Sequence, residues 1–407
     1  MKIVIVSNTC SADEYKRIQD LKFREKVSPQ QNFFLMLIEG LLAHSNIVIH
    51  CVTARSIAES NANVRKLYAY TQKINERLTF SYTEVIAKDY IRNIMNFLET
   101  KKLVRTILRE SDRSNTFVIF DPLSTDITLG GLFSSRSFKK IAVVTDIPKY
   151  ISEIGKEKLG RIGRLKRNFK QFVFMKSISK MDAFCFLTKS MQIINKRNVP
   201  HCIVEGMVPD NTKYFEKPQN KKRVILYAGG LYDKFGIIDL VQAFKRINNK
   251  DVELHIYGEG MCEDFIKRQS ELFPQIIYKG VVGIEEIIEA ERMADILINP
   301  RPTTGVFTEF SFPSKTLEYM SSGRPVITTR LAGIPEEYFD YVFTISKDGA
   351  DGIYDSISNV LKLPMIVLDQ VGKRSFDFVI KNKKSSAQAM VLIHLIEMIK
   401  TEDKQLC

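Results

Sequence analysis

The chain has 407 residues, of which 44% are hydrophobic and 26% charged, the composition of a soluble globular protein. This length exceeds one ordinary core and predicts two domains of about 200 residues each. The formal net charge of +13 comes from the first half of the chain, since the second half is slightly acidic. We therefore expect the first half to meet an anionic partner.

The beginning of the chain, MKIVIVSNTC, lacks the layout of a signal peptide, because polar residues follow at once on a short apolar run. No apolar stretch approaches the ~20 residues needed to span a bilayer. The six cysteines show no metal-like CxxC spacing and are interpreted as reduced thiols. These features predict a cytoplasmic enzyme or binding protein.

The first half alternates short apolar runs with amphipathic stretches such as 31–44 and 91–110. The runs are rich in β-branched residues and cover 2–7, 46–52, 116–121, 140–146 and 182–188. This alternation predicts a doubly wound parallel sheet. Between the first run and Gln31 lies a long polar stretch, which we predict to be a functional connection at the carboxyl edge of the sheet.

Residues 209–222, PDNTKYFEKPQNKK, are polar and contain proline, as is typical of an interdomain linker. A second α/β alternation follows, with strand patterns at 223–228, 252–257, 276–281, 295–300 and 325–329. The last amphipathic run, 384–400, could pack against either domain. The predicted domains are 1–210 and 211–383, and 384–407 is predicted to form a C-terminal helix, for which packing back on the N-terminal domain is one of these two alternatives.

Polar and glycine residues of the second half gather where its strand patterns end. Gly229 and Gly230 follow the first strand and let a ligand approach the backbone, and Lys234 lies in the same turn. Gly258 follows the second strand, where a plain tight turn is the alternative explanation. Arg301 follows a further strand and is expected at the carboxyl edge of the sheet.

The stretch FPSKTLEYMSSGRPVI predicts a short helix that begins after Pro313 at Ser314 and ends at Gly323. Lys315 lies in its first turn and Glu318 one turn further along the same face. A lysine at a helix N-terminus is suited to an anion, whereas a surface ion pair is the alternative. Together with the turns described above, this helix favours a phosphorylated ligand such as a nucleotide.

The succession of GGLYDKFG, IYGEG, ADILINPRP and FSFPSKTLEYMSSGRPVI resembles the nucleotide-sugar-binding half of retaining GT-B glycosyltransferases of family four. The resemblance covers about 223–345 and continues more loosely in the first half through VVTDIPKY, FLTKSM and VEGMVP. It implies two Rossmann-like domains with parallel sheets facing a cleft. It also implies transfer of a sugar from a nucleotide diphosphate with retention, and without a bound metal or further cofactor.

The resemblance assigns roles to individual residues. Lys315 corresponds to the position that neutralises the donor diphosphate, Glu318 to the glutamate that binds the ribose hydroxyls, and Lys234 to the lysine of the glycine-rich turn that reaches the phosphates. The residues expected to bind the donor are Gly229, Gly230, Lys234, Gly258, Arg301, Ser314, Lys315 and Glu318. No metal-binding residue is implied.

This chain departs from the family pattern at three positions. Phe310 stands where many members carry a first glutamate that contacts the transferred sugar, and Glu309 is one residue out of register. Gly230 replaces an arginine, whose charge Arg301 could supply. The histidine often found near the fourth strand of the first domain is absent, and Asp146 follows a threonine there.

Asp146 and Glu309 are the candidate catalytic residues. Asp146 ends a strand pattern and could orient or deprotonate an acceptor hydroxyl, with a turn or capping aspartate as the alternative. Glu309 is a candidate only if its loop compensates for the shifted register.

Residues 154–180 carry nine Lys and Arg and one acidic residue, with apolar residues at helical spacing. One interpretation is a helix that packs its apolar stripe on its own sheet. The other is a surface that docks on anionic lipid, which would attach the protein peripherally to the inner face of the membrane.

The sequence therefore predicts a glycosyltransferase that uses a nucleotide sugar and a glycan or lipid-linked acceptor, in bacterial surface polysaccharide synthesis. The alternative is a non-catalytic subunit of the same fold that binds a partner or glycan. No nucleic-acid partner is expected, because no basic-aromatic recognition motif is present. The P-loop and the GxSxG elbow are also absent.

Overall fold

The computed structural model describes residues 1–22, 29–55, 65–86, 88–151, 161–218 and 221–405. The chain divides into two compact units. Unit 1 contains Met1–Met207 together with Ser385–Cys407, and unit 2 contains Val208–Lys384.

Unit 1 alternates strands and helices, as its sequence predicts. Its strands are β1 Lys2–Ser7, β2 Val48–Thr53, β3 Lys66–Leu67, β4 Tyr70–Asn75, β5 Leu78–Tyr82, β6 Val85–Ile86, β7 Thr116–Phe120, β8 Lys139–Val144, β9 Ala183–Phe186 and β10 His201–Ile203. Its helices are α1 Ala12–Lys22, α2 Pro29–Leu42, α3 Asp89–Arg109, α4 Thr125–Ser134, α5 Pro148–Ile151, α6 Arg161–Ile178 and the C-terminal α13 Ser385–Gln405.

The main sheet of unit 1 has eight strands in the order β10-β9-β8-β7-β1-β2-β5-β4. All neighbours are parallel except β4, which pairs with β5 in the antiparallel sense. Ile3 and Ile5 of β1 belong to one buried cluster with residues of α2 and α13. Val6 and Phe120 lie beneath α4, since a Cβ on Gly131 would meet both side chains. The central strands are apolar throughout because helices cover both faces of the sheet.

Several elements of unit 1 are absent from the sequence prediction, among them α1 and the β4–β5 hairpin. The polar stretch after β1 contains α1, whose buried face includes Glu14 and Ile18. A buried charge in place of apolar residues weakens the helical pattern, so hydrophobic periodicity does not reveal this helix. The β4–β5 hairpin was missed for a related reason, because β4 is largely exposed and polar.

Unit 2 is a second α/β layer structure. Its strands are β11 Arg223–Ala228, β12 Val252–Tyr257, β13 Ile276–Gly280, β14 Ile296–Asn299, β15 Val326–Thr329 and β16 Phe343–Ile345. Its helices are α7 Ile237–Lys245, α8 Glu263–Leu272, α9 Ile284–Met293, α10 Ser314–Ser321, α11 Ala350–Leu361 and α12 Met365–Asn382. The six strands are all parallel, in the order β13-β12-β11-β14-β15-β16.

The predicted linker 209–222 is part of unit 2 rather than a free connection over its described residues, which leave out 219 and 220. The ring of Tyr214 packs edge-on against Phe376, with 5.3 Å between ring centroids. Lys217 Nζ lies 2.6 Å from Asp295 Oδ1, and both side chains are buried. Composition alone suggests a flexible segment, but a buried ion pair and an aromatic contact fix these residues on the core.

None of the helices within the described ranges is long and apolar enough to cross a membrane. The C-terminal helix α13 packs against α2 in unit 1. Gly40 allows this close contact, because a Cβ at that position would lie 2.1 Å from the carbonyl oxygen of Ser385.

We expect Gly40→Ala to destabilise unit 1. Alanine favours a helix over glycine by up to about 1 kcal/mol, but here its methyl group would collide with backbone atoms. Overpacking of this kind costs about 1–3 kcal/mol, so the free energy of unfolding should fall. Urea unfolding measures the change, with Gly283→Ala as the control, since a Cβ at Gly283 meets nothing within 4 Å. Equal stability of Gly40→Ala and the parent would show that α2 and α13 are not tightly packed.

Candidate functional site

Two glycine turns touch at the carboxyl edge of the unit 2 sheet. A Cβ on Gly258 would lie 1.9 Å from the carbonyl oxygen of Gly229, and Gly258 has a φ of +126°. Gly229 N–H donates to Tyr257 O at 3.1 Å, and Gly258 N–H donates to Gly280 O at 2.8 Å. Only glycine fits at 258, so the close contact of the two turns accounts for this residue.

Lys234 and Arg301 both lie close to one aromatic ring, that of Phe235. Lys234 Nζ is 5.3 Å from the centroid of Phe235, and the guanidinium carbon of Arg301 is 5.4 Å from the same centroid. Burial and the charge of Arg301 lower the pKa of Lys234. The structure therefore brings together two cations that the sequence could only place at separate strand ends. Their mutual repulsion would be relieved by an anion.

The helix α10 is fastened to the end of β11 by a buried tyrosine. Ala228 N–H donates to Tyr319 Oη at 2.8 Å, and Tyr319 Oη donates to Ala228 O at 3.1 Å. The side chain is 1% exposed, and burial raises the pKa of its hydroxyl well above the ordinary value. This pair of bonds holds α10 beside the strand that leads into the Gly229 turn.

Lys315 and Glu318 form a pair on α10, as their spacing predicts, but a third charged group joins them. Lys315 Nζ lies 2.6 Å from Glu318 Oε1 and 3.3 Å from Glu291 Oε1. The side chains of Lys315 and Glu318 are about a third exposed, at 32% and 30%, whereas that of Glu291 is 2% exposed. The alternative of an ordinary surface ion pair does not account for the buried Glu291.

Burial and the neighbouring charge of Glu318 raise the pKa of Glu291 well above its ordinary value, and the charge of Lys315 only partly opposes this. Burial also acts to lower the pKa of Lys315, but the two carboxylates outweigh it and raise that pKa. Lys315 is therefore firmly cationic, and Glu291 has a strong tendency to hold a proton.

Sequence reasoning missed Glu291, which lies in a helix with three other glutamates. A signal was present, because Glu291 follows the buried Ile287 by four residues and so lies on the inward face of α9. A glutamate at an inward position needs a partner, and Lys315 is that partner.

The structure places the other predicted donor residues as follows. Ser314 is exposed at the first position of α10. Phe310 is 6% exposed, so the position of the expected first glutamate belongs to the interior. Glu309 is exposed at the end of the short 3₁₀ helix Val306–Thr308. Its catalytic role stays a prediction.

In unit 1, Asp146 follows β8 and is half-buried. A second aspartate, Asp121, follows the adjacent β7 and is fully buried. Leu123 N–H and Ser124 Oγ each donate to the Asp121 carboxylate at 3.1 Å, and the Gln30 amide donates a further bond.

Burial raises the pKa of Asp121 to about 7, and the charge of Asp146 adds to this effect. The two carboxylates are therefore electrostatically coupled at one edge of the sheet. Sequence reasoning treated Asp121 as the last residue of a strand pattern, and its pairing with Asp146 becomes visible only because β7 and β8 are neighbours.

No group of three or more His, Cys, Asp and Glu is placed to hold a metal ion within the part of the chain that the structure describes. Three groups of charged residues in the described part of the chain are therefore candidates for function, two in unit 2 and one in unit 1. The first is Lys234 with Arg301, the second is Glu291 with Lys315 and Glu318, and the third is Asp121 with Asp146.

Comparison with known proteins identifies the class of fold. Residues 222–362 match the family described as Glycosyl transferases group 1. A search of curated protein sequences finds no match to the chain.

Solved structures match over nearly the whole chain at low identity. Sucrose-phosphate synthase from Thermosynechococcus elongatus has a TM-score of 0.67 at 12% identity, covering 99% of this chain and 100% of that one. HepE of Anabaena in complex with UDP has a TM-score of 0.63 at 9% identity, covering 98% and 100%. The lipopolysaccharide outer core galactosyltransferase WaaB has a TM-score of 0.59 at 14% identity, covering 98% and 99%.

The chain therefore has the two-domain α/β fold, with parallel sheets, of the GT-B glycosyltransferases. The predicted fold class is confirmed at this level. Unit 2 carries the sequence pattern of the group 1 family, and its three charged residues Glu291, Lys315 and Glu318 all lie inside the matched range.

We expect Glu291→Gln to flatten the pH dependence of stability. A group with a raised folded-state pKa contributes stability that is complete below its unfolded pKa, about 4.5 for Glu291, and that is lost as pH rises through the folded pKa. Glutamine has no proton to lose, so the variant should gain stability relative to the parent as pH rises. Each unit of raised pKa corresponds to about 1.4 kcal/mol.

Urea unfolding across the neutral range measures this difference. Glu289→Gln is the matched control, because Glu289 is an exposed glutamate on the same helix. A constant gap between Glu291→Gln and the parent at every pH would contradict the raised pKa.

Proposed function

We propose that this protein is a retaining, metal-independent glycosyltransferase of family four that moves a sugar from a nucleotide-diphosphate sugar to a glycan or lipid-linked acceptor. We place it in bacterial surface polysaccharide synthesis, at the inner face of the membrane. The observation that carries the proposal is the Lys315 ammonium in the first turn of α10, which contacts the carboxyl groups of Glu318 and Glu291 within the region that matches the glycosyltransferase family.

The cluster on α10 suits the two ends of a ribose diphosphate. The oxygens of a diphosphate would accept hydrogen bonds from the Lys315 ammonium group and would also interact with the N-terminal end of α10. The Glu318 oxygens, freed from Lys315, would then accept hydrogen bonds from the ribose hydroxyls. Glu291 would stay in contact with Lys315 and so hold the ammonium group in the site.

Lys234 and Arg301 supply further positive charge for the donor. Their two cations share the ring of Phe235, and an arginine offers planar, bidentate donors that match phosphate oxygens. In this proposal Arg301 provides the charge that Gly230 lacks, while Gly229 and Gly258 keep the backbone close to the ligand.

Asp121 and Asp146 of unit 1 are proposed to act on the acceptor. Asp146 would orient or deprotonate the acceptor hydroxyl. A group whose pKa lies near neutrality serves proton transfer best, and Asp121, with a pKa of about 7, is coupled to Asp146.

The solved neighbours support the donor and acceptor classes by analogy. HepE is described in complex with UDP, a trehalose-6-phosphate enzyme of E. coli is described with UDP-2-fluoro glucose, and WaaB is described as a lipopolysaccharide galactosyltransferase. These are properties of those proteins, and they favour a nucleotide-sugar donor and a glycan acceptor here.

A non-catalytic subunit with this fold is the second candidate function. The observation in its favour is the interior position of Phe310, which leaves only the exposed Glu309 near the place of the expected first glutamate. Incubation with a panel of nucleotide sugars separates the candidates, because an enzyme slowly releases nucleotide and a non-catalytic subunit does not.

We expect Lys315→Ala to weaken binding of a nucleoside diphosphate. Charge-assisted hydrogen bonds contribute about 1.5–3 kcal/mol, which corresponds to roughly 10- to 150-fold in affinity. Glu318→Gln keeps the shape of the side chain but loses the carboxylate, so a smaller loss is expected. Calorimetric titration with UDP and other nucleoside diphosphates measures both effects.

The matched control for this titration is Lys373→Ala. Lys373 also forms an ion pair with a carboxylate one turn away, since its Nζ lies 2.6 Å from Asp377 Oδ1 on α12. If the parent binds nucleotide and both site variants bind it as tightly as the control does, the proposed donor roles are wrong.

We expect Asp146→Asn to lower the rate of sugar transfer about 100-fold or more, the usual range for loss of a general base. Nucleotide affinity should stay unchanged, because the donor residues belong to unit 2. The rate is measured with saturating donor in a variant whose unfolding curve matches that of the parent. Asp112→Asn, which changes an exposed aspartate of unit 1, is the control. Parental turnover in folded Asp146→Asn would exclude the role.

A further inference from the structure

The helix α6 has two opposite apolar faces, and only one of them is packed. Phe174 and Ile178 are buried on the inner face. Leu165, Phe169 and Phe172 recur at helical spacing on the opposite face and are 69%, 67% and 58% exposed. The interpretation that this stripe packs on its own sheet is therefore wrong for these three residues. Residues 152–160, with the first part of the segment 154–180, lie outside the described residues.

A second exposed apolar stripe runs along the first half of α3. Ile91, Ile94 and Leu98 are 44%, 55% and 49% exposed and share one face of the helix. Thr100 and Val104, on the opposite face, are completely buried. This stripe, like that of α6, points away from the packed side of its helix.

The short helix α4 lies between these two helices and contacts both. Its Phe133 is 48% exposed and meets Phe97 of α3 edge-on, with ring centroids 5.7 Å apart. Two cations flank this exposed ring, because Lys101 Nζ lies 5.7 Å and the Arg136 guanidinium carbon 5.6 Å from its centroid.

The three helices cover one face of the unit 1 sheet and run in the same direction. Asn96 of α3 donates to Asp126 of α4 at 2.8 Å, and a Cβ on Gly130 would touch the backbone of Phe97 and Lys101, so residue numbers rise together along both helices. The helices α3, α4 and α6 lead into the parallel strands β7, β8 and β9. Their first halves therefore lie toward the carboxyl edge of the sheet. We call the exposed surface of α3, α4 and α6 the helical face.

Basic residues accompany the apolar stripes of the helical face. Arg164, Lys166, Arg167 and Lys170 of α6 are all exposed, and residues 163–180 contain no acidic residue. On α3 the apolar stripe continues into exposed basic positions in the second half of the helix.

We propose that the helical face docks on an anionic lipid bilayer, with the side chains of both stripes and Phe133 entering the interface between headgroups and acyl chains. Alternating apolar and cationic side chains match such an interface, where the former leave water and the latter meet lipid phosphates. A second copy of the chain would bring like charges together. A nucleic acid would leave the apolar stripes without a partner.

The proposal rests on the proposed function and deepens it, because it names the surface through which the enzyme would reach a lipid-linked acceptor. The stripe of α3, and Leu165 of α6, lie in the first halves of their helices and so toward the carboxyl edge of the sheet, which is also the edge that carries Asp121 and Asp146. Docking of the helical face would bring that edge to the membrane. An acceptor headgroup could then reach the aspartates without leaving the bilayer.

Co-sedimentation of the full chain with vesicles tests the proposal. The vesicles are pure phosphatidylcholine, or an equal mixture of phosphatidylcholine and phosphatidylglycerol. We expect binding to the mixture alone and release by raised salt, because salt screens the attraction between Lys or Arg and lipid phosphates.

Three sets of variants divide the helical face. The first combines Leu165→Gln, Phe169→Gln and Phe172→Gln, the second Ile94→Gln, Leu98→Gln and Phe133→Gln, and the third Arg164→Glu, Arg167→Glu and Lys170→Glu. Each set should weaken partitioning about tenfold or more, since every buried apolar side chain and every cation near the surface contributes.

Matched controls lie outside the helical face. Ile193→Gln changes an exposed apolar residue of unit 1 that is 51% exposed. The set Lys16→Glu, Lys189→Glu and Lys196→Glu alters the net charge by the same amount as the third set, at exposed positions. Both controls should partition as the parent does, and unfolding curves show that all variants are folded.

The outcomes test the extent of the docking surface and its specificity for anionic lipid separately. Loss of binding in the first and third sets alone would overturn the three-helix face and leave α6 as the contact. Equal binding of the parent to both kinds of vesicle, or equal loss in the charge control, would overturn the specific docking surface. UDP titration of the same samples tests the proposed function separately, because vesicle binding can fail while nucleotide binding persists, and the reverse.

Discussion

The candidate donor site depends on the hydroxyl group of Tyr319, which exchanges two hydrogen bonds with the backbone of Ala228. This contact joins a helix to the end of a strand at a point where neither could otherwise satisfy its polar groups in the interior. A phenylalanine would leave the Ala228 N–H and C=O without these partners, at a cost of about 1–3 kcal/mol for each buried group. Because Lys315 and Glu318 are on the same short helix, this side chain helps to fix their positions relative to the glycine turn, together with the buried Leu317 and Met320.

The second constraint is the burial of Glu291 beside Lys315. A carboxylate that is 2% exposed is stable only with a cation or a proton. Lys315 satisfies part of this requirement and Glu318 competes for the same ammonium group. The protonation state of Glu291 and the hydrogen bonds of Glu318 therefore both depend on where the Lys315 ammonium group is engaged. An anionic ligand that approaches Lys315 would change the protonation of Glu291 as well as the contacts of Glu318.

The sequence was sufficient for the features that depend on local pattern. Parallel strands buried on both faces are continuous apolar runs, so most strands were predicted within a few residues, and the start of α10 followed from Pro313 and Ser314. The missed features depend on contacts between distant residues. Glu291 meets Lys315, the charge of Asp146 acts on Asp121, and Lys217 pairs with Asp295 only after the sheets have formed. The helical spacing of the apolar residues in α6 was recognised in the sequence. The spacing did not show that the helix packs on the sheet through the opposite face, with Phe174 and Ile178.

The chain leaves unit 1 after Met207 and returns to it at Ser385, so unit 1 is built from both ends of the sequence. The points of exit and return are adjacent, because Val208 N–H donates to Lys383 O at 2.9 Å. During synthesis from the N-terminus, every residue of unit 2 emerges from the ribosome before α13 does. Until then α2 lacks the helix that covers Gly40, and the apolar cluster shared with Leu392 and Ile396 is open to water. A nascent chain of this protein therefore completes unit 2 before unit 1, and the apolar cluster on α2 stays uncovered until α13 is made.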